Sequence, residues 1–280
     1  ASGHGGRGLL NAAERVGCRS PPAADYPDYY TELPGGKIGR ASEVQPLDGH
    51  ALGEWWGTSR GQDGLPAPVK TDDFWLLSRA WSTPGGIIRS ARVVFRVLGT
   101  LLRRQKAVGM GPALTSSLLQ VALRLGVEVR LSSPITELVT EDGRVTGVRT
   151  TRNGATRTIA VARGVVLGGG GFDHNVEWRE RFQGVTGADS SGSRGNVGSA
   201  IEVAMKIGAA VDLMDDAWWG GSVPSPTPDG SAMFLVSDRS MPHSSIVEWG
   251  GDRFANESGS CVARGRPGFR PSKPHPLTVR

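Results

Sequence analysis

The chain has 280 residues, of which 38% are hydrophobic and 21% charged, and its formal net charge is +5. A chain of this length and composition can bury a sizeable core in one large or two medium domains, which indicates a globular protein. The last 17 residues carry five Lys or Arg and no acid, so the rest of the chain is neutral. This distribution does not support a nucleic-acid-binding protein.

The cysteine and hydropathy patterns favour a cytoplasmic protein without a metal site. Cys18 and Cys261 lie far apart, and neither belongs to a C-x-x-C or other metal-ligand spacing. No run of eighteen apolar residues and no charged-then-apolar leader is found, so we expect neither a transmembrane helix nor a signal peptide. The first residue is not Met, which is consistent with a start inside a longer protein.

The first 20 residues are rich in Gly and lack periodicity, so we expect a disordered or boundary segment. All three tyrosines of the chain then fall between Tyr26 and Tyr30, in a loop with Pro and Gly. Clustered tyrosines suit a site for a mostly apolar ligand with one polar end. A structural loop whose rings cover the edge of the core is an equally good interpretation.

An aromatic-rich region and an amphipathic helix follow. Residues 52–81 hold five Trp or Phe among Gly and Pro and indicate the body of a small substrate-facing domain. Residues 86–106 predict a helix with a Val and Leu stripe and with arginines mostly off that stripe. Such a helix can lie on an anionic membrane surface. Alternatively, it packs its apolar stripe into the core and leaves its arginines in solvent. The second interpretation is favoured.

Residues 111–161 carry clear helix and strand signals. Pro112 suits the first turn of a helix and Gly126 its end, and residues 127–131 alternate as a strand. Glu-Asp-Gly at 141–143 and Asn-Gly at 153–154 are hairpin signals. They separate three predicted strands, residues 135–139, 145–150 and 156–161, which form a meander.

Four consecutive glycines, Gly168 to Gly171, follow a short apolar run and are called the glycine segment below. The pattern predicts a buried strand over Val165 to Leu167 that ends where the backbone passes close to a flat ligand or another backbone. Glycines without such a contact only add conformational entropy to the unfolded chain. A flexible linker is less favoured, because Val165, Val166 and Phe172 flank the glycines.

Beyond the glycine segment, residues 175–182 predict a polar helix, and a second helix begins at Ser199 and ends at Gly208. Ser199 and Glu202 fit a capping box. The preceding loop, Gly195 to Gly198, predicts free backbone N–H groups for an anion, although this signal is weak on its own. A short strand is expected over residues 245–248.

Several segments in this order resemble the flavoprotein family that contains 3-ketosteroid Δ1-dehydrogenases and, more distantly, fumarate reductase flavoprotein subunits. The resemblance covers about residues 9 to 260 and is closer to the ketosteroid branch. The matching segments are Tyr26–Gly36, Gly109–Leu114, Gly126–Val129, Gly168–Asn175, Gly195–Gly198 with Gly208–Asp215, and Met241–Ser258.

This resemblance implies a mixed α/β (α+β) fold with a partial FAD-binding Rossmann-like domain, a β-meander and a substrate (catalytic) domain. The G-x-G-x-x-G loop with which family members hold the pyrophosphate has no counterpart here, so we expect an internal fragment or a truncated gene product. The expected division is a boundary segment at 1–20, substrate domain at 21–108, FAD-binding domain at 109–215, substrate domain again at 216–262, and a disordered basic tail at 263–280.

FAD is the implied cofactor, and the resemblance assigns its contacts residue by residue. The implied cofactor-binding residues are Pro134, Ile135, Gly168, Gly169, Gly170, Phe172, Gly195, Asn196 and Gly198. The family commonly has Asp where this chain has Ser199, a change that keeps a helix cap and loses a carboxylate.

The implied activity removes a proton from C2 and a hydride from C1 of a 3-ketosteroid, which requires a base and donors to the ketone oxygen. Tyr29 and Tyr30 are the candidates for a catalytic tyrosine on the substrate side. Cys261 stands where the family often has a further Tyr, and a thiol lacks the reach of a phenol. The implied substrate is an apolar, steroid-like ketone, and the sequence does not indicate the electron acceptor.

Two alternatives remain open at this point. One is a catalytically inactive remnant that binds a hydrophobic ligand or a partner. The other is a fumarate-reductase-type flavoprotein, although the absence of an Arg/His cluster near the flavin motifs argues against a dicarboxylate substrate.

Overall fold

The computed structural model describes residues 8, 11–24, 26–28, 30, 33–59, 68–77, 80–185, 190–220, 222–223, 232–235, 245–247, 251–253 and 278–279. The chain forms two compact units, Ala1–Val129 and Arg130–Arg280. The change of unit falls after Val129, whereas the expected start of the FAD-binding domain at residue 109 stays a prediction. The assignment of each segment to a substrate or FAD-binding domain stays a prediction.

The first unit has a small apolar core that joins residues from both ends of its sequence. Cys18, Val44, Val108 and Ala113 are buried together, and the half-buried ring of Trp56 packs against them. Cys18 is only 3% exposed, so this core includes part of the segment that we expected to be disordered.

Short strands and helical segments make up the described part of this unit, and residues 11–15 are helical as well. Asp48 begins the 3-10 helix by accepting a hydrogen bond from the backbone N–H of His50, at 3.1 Å. The elements are strand β1 (Leu47–Asp48), which pairs antiparallel with β2 (Ala107–Val108), a 3-10 helix (Gly49–Thr58), α1 (Thr71–Leu77), α2 (Pro84–Leu102) and α3 (Met110–Arg124).

Helix α2 confirms the helix predicted over residues 86–106, with a slightly earlier start and end. Thr83 caps it by accepting from the backbone N–H of Gly86, and Pro84 occupies the first turn, where its missing N–H is not needed. Helix α3 likewise confirms the helix predicted before Gly126, whose φ of +72° is typical of a residue that ends a helix.

The favoured interpretation of α2, in which its arginines point to solvent, holds for Arg92, Arg103 and Arg104, which are exposed, and fails for two others. Arg89 and Arg96 point instead to Asp73 of α1, whose side chain is fully buried. Most of the apolar stripe lies on the exposed side of the helix. The exposed members of the stripe are Val94, Leu98, Leu101 and Leu102, and Ile87, Ile88 and Phe95 of the same helix are exposed as well.

The second unit is built on the predicted three-stranded meander, which the structure confirms. Strands β3 (Ile135–Glu141), β4 (Arg144–Arg152) and β5 (Ala155–Ala160) pair antiparallel in that order. Asp142-Gly143 and Asn153-Gly154 form the two turns, and all four residues have positive φ between 49° and 76°. Consecutive positive φ values are the geometry of tight hairpin turns, which explains the Asp-Gly and Asn-Gly sequences.

A helix and an extended segment cover one face of this sheet. Helix α5 (Ser199–Met205), the last helix in the described ranges, packs on β3. Val203 is buried with Leu138 and Val148 of the sheet, and Val165 and Leu167 pack against the same cluster. Between the meander and α5, a short helix α4 (Val176–Trp178) continues as a π-helix over Arg179–Gln183, in the region where we predicted a polar helix.

Two predicted strands are wrong. Residues 127–131 and 165–167 belong to no sheet within the described ranges, and residue 131 lies in a bend. The Val127 and Leu131 side chains are 53% and 45% exposed, and that of Val166 is 97% exposed. Alternating apolar residues indicate an extended backbone, but a strand also needs a partner, and the described residues supply none here.

The remaining strands are short and antiparallel. Strand β6 (Ser222–Val223) pairs with β7 (Met233–Phe234), and β8 (Ile246–Val247), within the predicted strand 245–248, pairs with β9 (Thr278–Val279). The rest of the predicted disordered tail lies outside the described residues. Parallel pairing does not occur within the ranges given above, so the fold seen is a mixture of helices and antiparallel sheets. No helix in these ranges has the length and hydropathy needed to cross a bilayer.

Candidate functional site

The glycine segment lies directly against its own chain at two positions. A Cβ atom on Gly169 would stand 2.8 Å from the Cβ of Ala200 in α5. Gly170 has a φ of +77°, and a Cβ there would stand 2.5 Å from Oδ1 of Asn196. Both positions therefore require glycine for internal packing, whether or not a ligand is present.

Gly168 differs from its neighbours because it faces open space. A Cβ on Gly168 would meet no atom within 4 Å, and the adjacent Val166 side chain is 97% exposed. The N–H groups of residues 165–170 donate to no acceptor within the part of the chain that the structure describes. Because backbone donors need partners when they are covered, this open edge can receive a ligand with acceptor groups.

The residues after the glycine segment are hydrogen-bonded to the loop that precedes α5. We call residues 171–175 the FDHN turn and residues 190–198 the glycine loop. The N–H of Gly198 donates to Gly171 O at 3.0 Å, and the N–H of His174 donates to Asn196 O at 2.9 Å. Asn175 Nδ2 donates to Val197 O at 3.0 Å. These contacts fix the two segments side by side.

Asp173 holds the first part of the glycine loop. Ser190 Oγ donates to Asp173 Oδ2 at 2.5 Å and accepts from the N–H of Gly192 at 3.0 Å. His174 Nε2 lies 3.0 Å from Gly192 O. Because a carbonyl oxygen only accepts, Nε2 carries the proton in this contact.

The expectation that the loop Gly195 to Gly198 offers free N–H groups to an anion is wrong in this structure. Gly195 donates to Ser193 Oγ at 3.3 Å and Asn196 to Ser193 O at 2.8 Å. Val197 donates to Gly195 O at 2.9 Å, and Gly198 donates to the FDHN turn as described above. All four donors are therefore used within the chain.

The predicted capping box at α5 is also wrong. The residue that caps the helix is Gly198, with a φ of +83°, and Ser199 is the first helical residue. A Cβ on Gly198 would stand 2.7 Å from the ring of Trp178. The close approach of this ring therefore explains the glycine. Glu202 pairs with Lys206 one turn later and does not reach back to the cap.

Phe172, directly after the glycine segment, belongs to a cluster of three aromatic rings. Its side chain is 8% exposed, and its ring contacts those of Trp178 and Phe182 edge-on, with centroids 5.5 Å and 6.1 Å away. Such edge-to-face pairs add stability beyond the area that they bury. Phe172 thus joins the end of the glycine segment to the helix that follows it.

The other predicted residues have less structural context. Pro134 and Ile135 are exposed where the chain enters β3, and Pro134 O accepts from Thr150 Oγ1 at 2.9 Å. Tyr30 is 37% exposed and belongs to the first unit, whereas the glycine segment belongs to the second. Tyr29 and Cys261 lie outside the described residues. Their predicted roles, like the predicted FAD contacts, stay predictions.

Sequence reasoning missed the role of Asp173 within the FDHN turn. Its side-chain partner, Ser190, is seventeen residues away, and the turn carries no periodic signal that would indicate the pairing. It also missed the ion pairs of Asp73 with Arg89 and Arg96. In the ranges that the structure describes, no group of three or more His, Cys, Asp or Glu side chains could hold a metal ion.

Comparison with known proteins supplies the family. The family described as FAD binding domain matches residues 43–265. The 3-oxosteroid 1-dehydrogenases of Mycolicibacterium smegmatis and Mycobacterium tuberculosis are 40% and 37% identical to the chain, each over 83% of its length. The chain spans only 42% and 43% of the length of these two proteins.

A solved structure agrees with these relatives. The 3-ketosteroid delta1-dehydrogenase of Sterolibacterium denitrificans, in complex with 1,4-androstadiene-3,17-dione, superposes with a TM-score of 0.79 at 32% identity. The match covers 90% of this chain and 48% of that one. The resemblance found in the sequence is therefore confirmed, and the chain belongs to the FAD binding domain family.

Proposed function

We propose that this chain is part of an FAD-dependent dehydrogenase that introduces a double bond between C1 and C2 of a 3-ketosteroid. The named relatives and the solved structure support this substrate class. The structural observation that carries the proposal is the open backbone edge at Gly168, beside glycines that are fixed by their own chain.

The residues present fit a flat cofactor at this edge. Gly168 offers no side chain, and the exposed Val166 adds an apolar surface next to it. Asn196 and Ala200 close the space beside Gly169 and Gly170, so the segment is held in one conformation before a ligand arrives. A preformed site loses less conformational entropy on binding. FAD, when bound, supplies the acceptor for the hydride that leaves C1.

The chain must also provide a base for the proton at C2. A tyrosinate near the substrate takes this proton, and donors to the C3 ketone oxygen stabilise the negative charge that develops there. The electron pair of the broken C2–H bond forms the double bond as the hydride leaves C1, so charges and electrons balance. Tyr29 and Tyr30 are the proposed candidates, and Tyr30 has an exposed side chain.

The alternatives are less well supported. A fumarate-reductase-type activity needs cations for a dicarboxylate, whereas Val166, the exposed side chain near Gly168, is apolar. An inactive remnant remains the competing proposal, since the resemblance implies a tyrosine where this chain has Cys261. A cytoplasmic location remains part of the proposal and is supported by the free thiol of Cys18.

Titration of the purified chain with FAD, followed by quenching of flavin fluorescence, tests the cofactor site. We expect Gly168→Ala to weaken FAD binding about tenfold, because a methyl group at a tight contact removes roughly 1.4 kcal/mol of binding energy. The matched control is Gly57→Ala, since Gly57 also has no atom within 4 Å of its Cβ position. Neither substitution should lower the melting temperature.

Two results would contradict the proposal at different levels. If the wild-type chain takes up no FAD, it is not a cofactor-binding unit by itself, as the remnant proposal holds. If Gly168→Ala binds FAD as tightly as wild type, the cofactor does not lie along the glycine segment. A dye-coupled assay of the longer parent protein with a 3-keto-4-ene steroid and with fumarate then separates the two dehydrogenase types.

A further inference from the structure

We propose that Asp173 is a positioning residue that controls cofactor affinity by holding the glycine loop against the glycine segment. This inference rests on the proposed function, in which FAD lies along Gly168. Neither the family resemblance nor the comparisons give Asp173 a role, and the carboxylate does not need to touch the cofactor to act in this way.

The first step is the contact between Asp173 and Ser190. A hydroxyl has a single proton, and Ser190 gives it to the carboxylate at 2.5 Å. The lone pairs of Ser190 Oγ are then left for the N–H of Gly192, at 3.0 Å. A hydrogen bond to an ionised acceptor is about twice as strong as a neutral one, so this carboxylate fixes the rotamer of Ser190.

The second step is the close approach of Gly192 to the same carboxylate. A Cβ on Gly192 would overlap Asp173 Oδ2, so only glycine lets the loop come this near. On its other side, Gly192 O accepts from the ring of His174. The beginning of the loop is thus held by two adjacent side chains of the FDHN turn.

The third step connects the loop to the glycine segment. Asn196 O accepts from the N–H of His174 at 2.9 Å, and Asn196 Oδ1 fills the space beside Gly170. If the loop moved away, Gly170 would lose the neighbour that restricts its backbone. The N–H groups of the segment would then no longer be fixed for a ligand, and binding would carry an additional entropy cost.

Asp173 can be removed without unfolding the unit. Its side chain is 34% exposed, and the apolar core of the unit consists of Leu138, Val148 and Val203, on the meander and α5. A partly exposed polar contact adds little to global stability, so its loss affects the local order of the loop first. This difference separates a positioning role from a purely structural one.

The experiment compares Asp173→Asn and Ser190→Ala with the control Asp142→Asn. Asp142 occupies a hairpin turn in the same unit, where Asn-Gly is as favourable as Asp-Gly, and it does not contact the loop. Amide hydrogen exchange of residues 192–198, FAD affinity and the visible absorption spectrum of the bound flavin are measured for each purified chain.

We expect faster exchange at Asn196 and Gly198 in both variants, and FAD binding weakened about tenfold, as for the loss of one charge-assisted hydrogen bond. The double variant should be no worse than either single one, because both remove the same contact. The flavin absorption band should change shape in both variants, while the melting temperature and the control stay at wild-type values.

The possible results separate the two proposals. Unchanged exchange in Asp173→Asn overturns the inference, because the loop is then not held by the carboxylate. Faster exchange with unchanged FAD affinity overturns it as well, because the loop then has no influence on the cofactor. If wild type itself binds no FAD, the proposed function fails first and the inference falls with it.

Discussion

Arg96 Nη1 lies 2.7 Å from Asp73 Oδ2, and this contact joins α2 to α1 through a carboxylate that is fully buried. Arg89 Nη1 stands 3.4 Å from the other oxygen, and the N–H of Lys70 donates to Oδ2 at 2.9 Å. Burial alone would raise the pKa of Asp73, but these hydrogen bonds and positive charges outweigh it and hold the pKa below its usual value.

Replacing Arg96 should destabilise the first unit strongly. Arg96→Ala leaves a buried carboxylate with the N–H of Lys70 and the longer contact to Arg89, and breaking a buried ion pair typically costs about 3–5 kcal/mol. Because the Arg96 side chain is 29% exposed, we expect a loss near the lower end of this range. Urea unfolding measures the free energy of unfolding. The control is Arg92→Ala on the exposed side of α2, and an equal loss in both variants would contradict the argument.

The same carboxylate predicts a pH dependence with a defined sign. The pKa of Asp73 is lower in the folded chain than in the unfolded chain, so its contribution to stability is fully present above the unfolded value of about 3.9. That contribution is lost as the pH falls through the folded value. The stability difference between wild type and Asp73→Asn should therefore shrink below about pH 4. Urea unfolding from pH 6 down to pH 2.5 tests this, and a difference independent of pH would refute it.

Gly170, which is crowded by a neighbouring side chain, and Gly171, which is not, should respond differently to replacement by alanine. Gly170→Ala combines a φ of +77° with a Cβ only 2.5 Å from Asn196 Oδ1, and strained positions of this kind cost about 1–3 kcal/mol. The nearest atom to a Cβ on Gly171 is 3.9 Å away, so Gly171→Ala should leave stability nearly unchanged. Thermal unfolding compares the two variants. Similar melting temperatures would show that Asn196 does not restrict Gly170.

Short sequence patterns predicted those parts of the fold that depend on residues adjacent in the sequence. Asp142-Gly143 and Asn153-Gly154 indicate hairpins because positive φ values are needed within the turn itself, and both hairpins are found. The strand predicted at Val165 to Leu167 failed because pairing depends on a partner elsewhere in the chain. The side of α2 that faces Asp73 could not be read from hydrophobic periodicity, since two arginines occupy that side.

The candidate site shows the same division between local and long-range information. Four glycines in a row indicate a close approach, which the structure confirms at Gly169 and Gly170. The neighbours are Ala200 and Asn196 because α5 packs on the meander. No local sequence pattern predicts this packing. The open position at Gly168 is therefore known only from the structure, although all four glycines look equal in the sequence.

Polar side chains should replace the exposed apolar residues of α2 without loss of stability. Phe95 is 73% and Leu98 is 47% exposed, and they lie on the same side of the helix three residues apart. Phe95→Gln with Leu98→Gln should lower the binding of a hydrophobic dye and reduce self-association, because large apolar patches drive both. The free energy of unfolding should change by no more than about 0.5 kcal/mol.

Val93 lies on the buried side of α2, where it is 8% exposed, and its replacement is the control for the two substitutions on the exposed side. Val93→Ala removes buried methyl groups and should cost about 1–2 kcal/mol while leaving dye binding by the native protein unchanged. Light scattering and urea unfolding distinguish the two sides. If the two glutamines destabilise the chain as much as Val93→Ala does, the stripe packs against part of the protein and is not an exposed surface. If they change neither dye binding nor self-association, the patch is too small to govern either property.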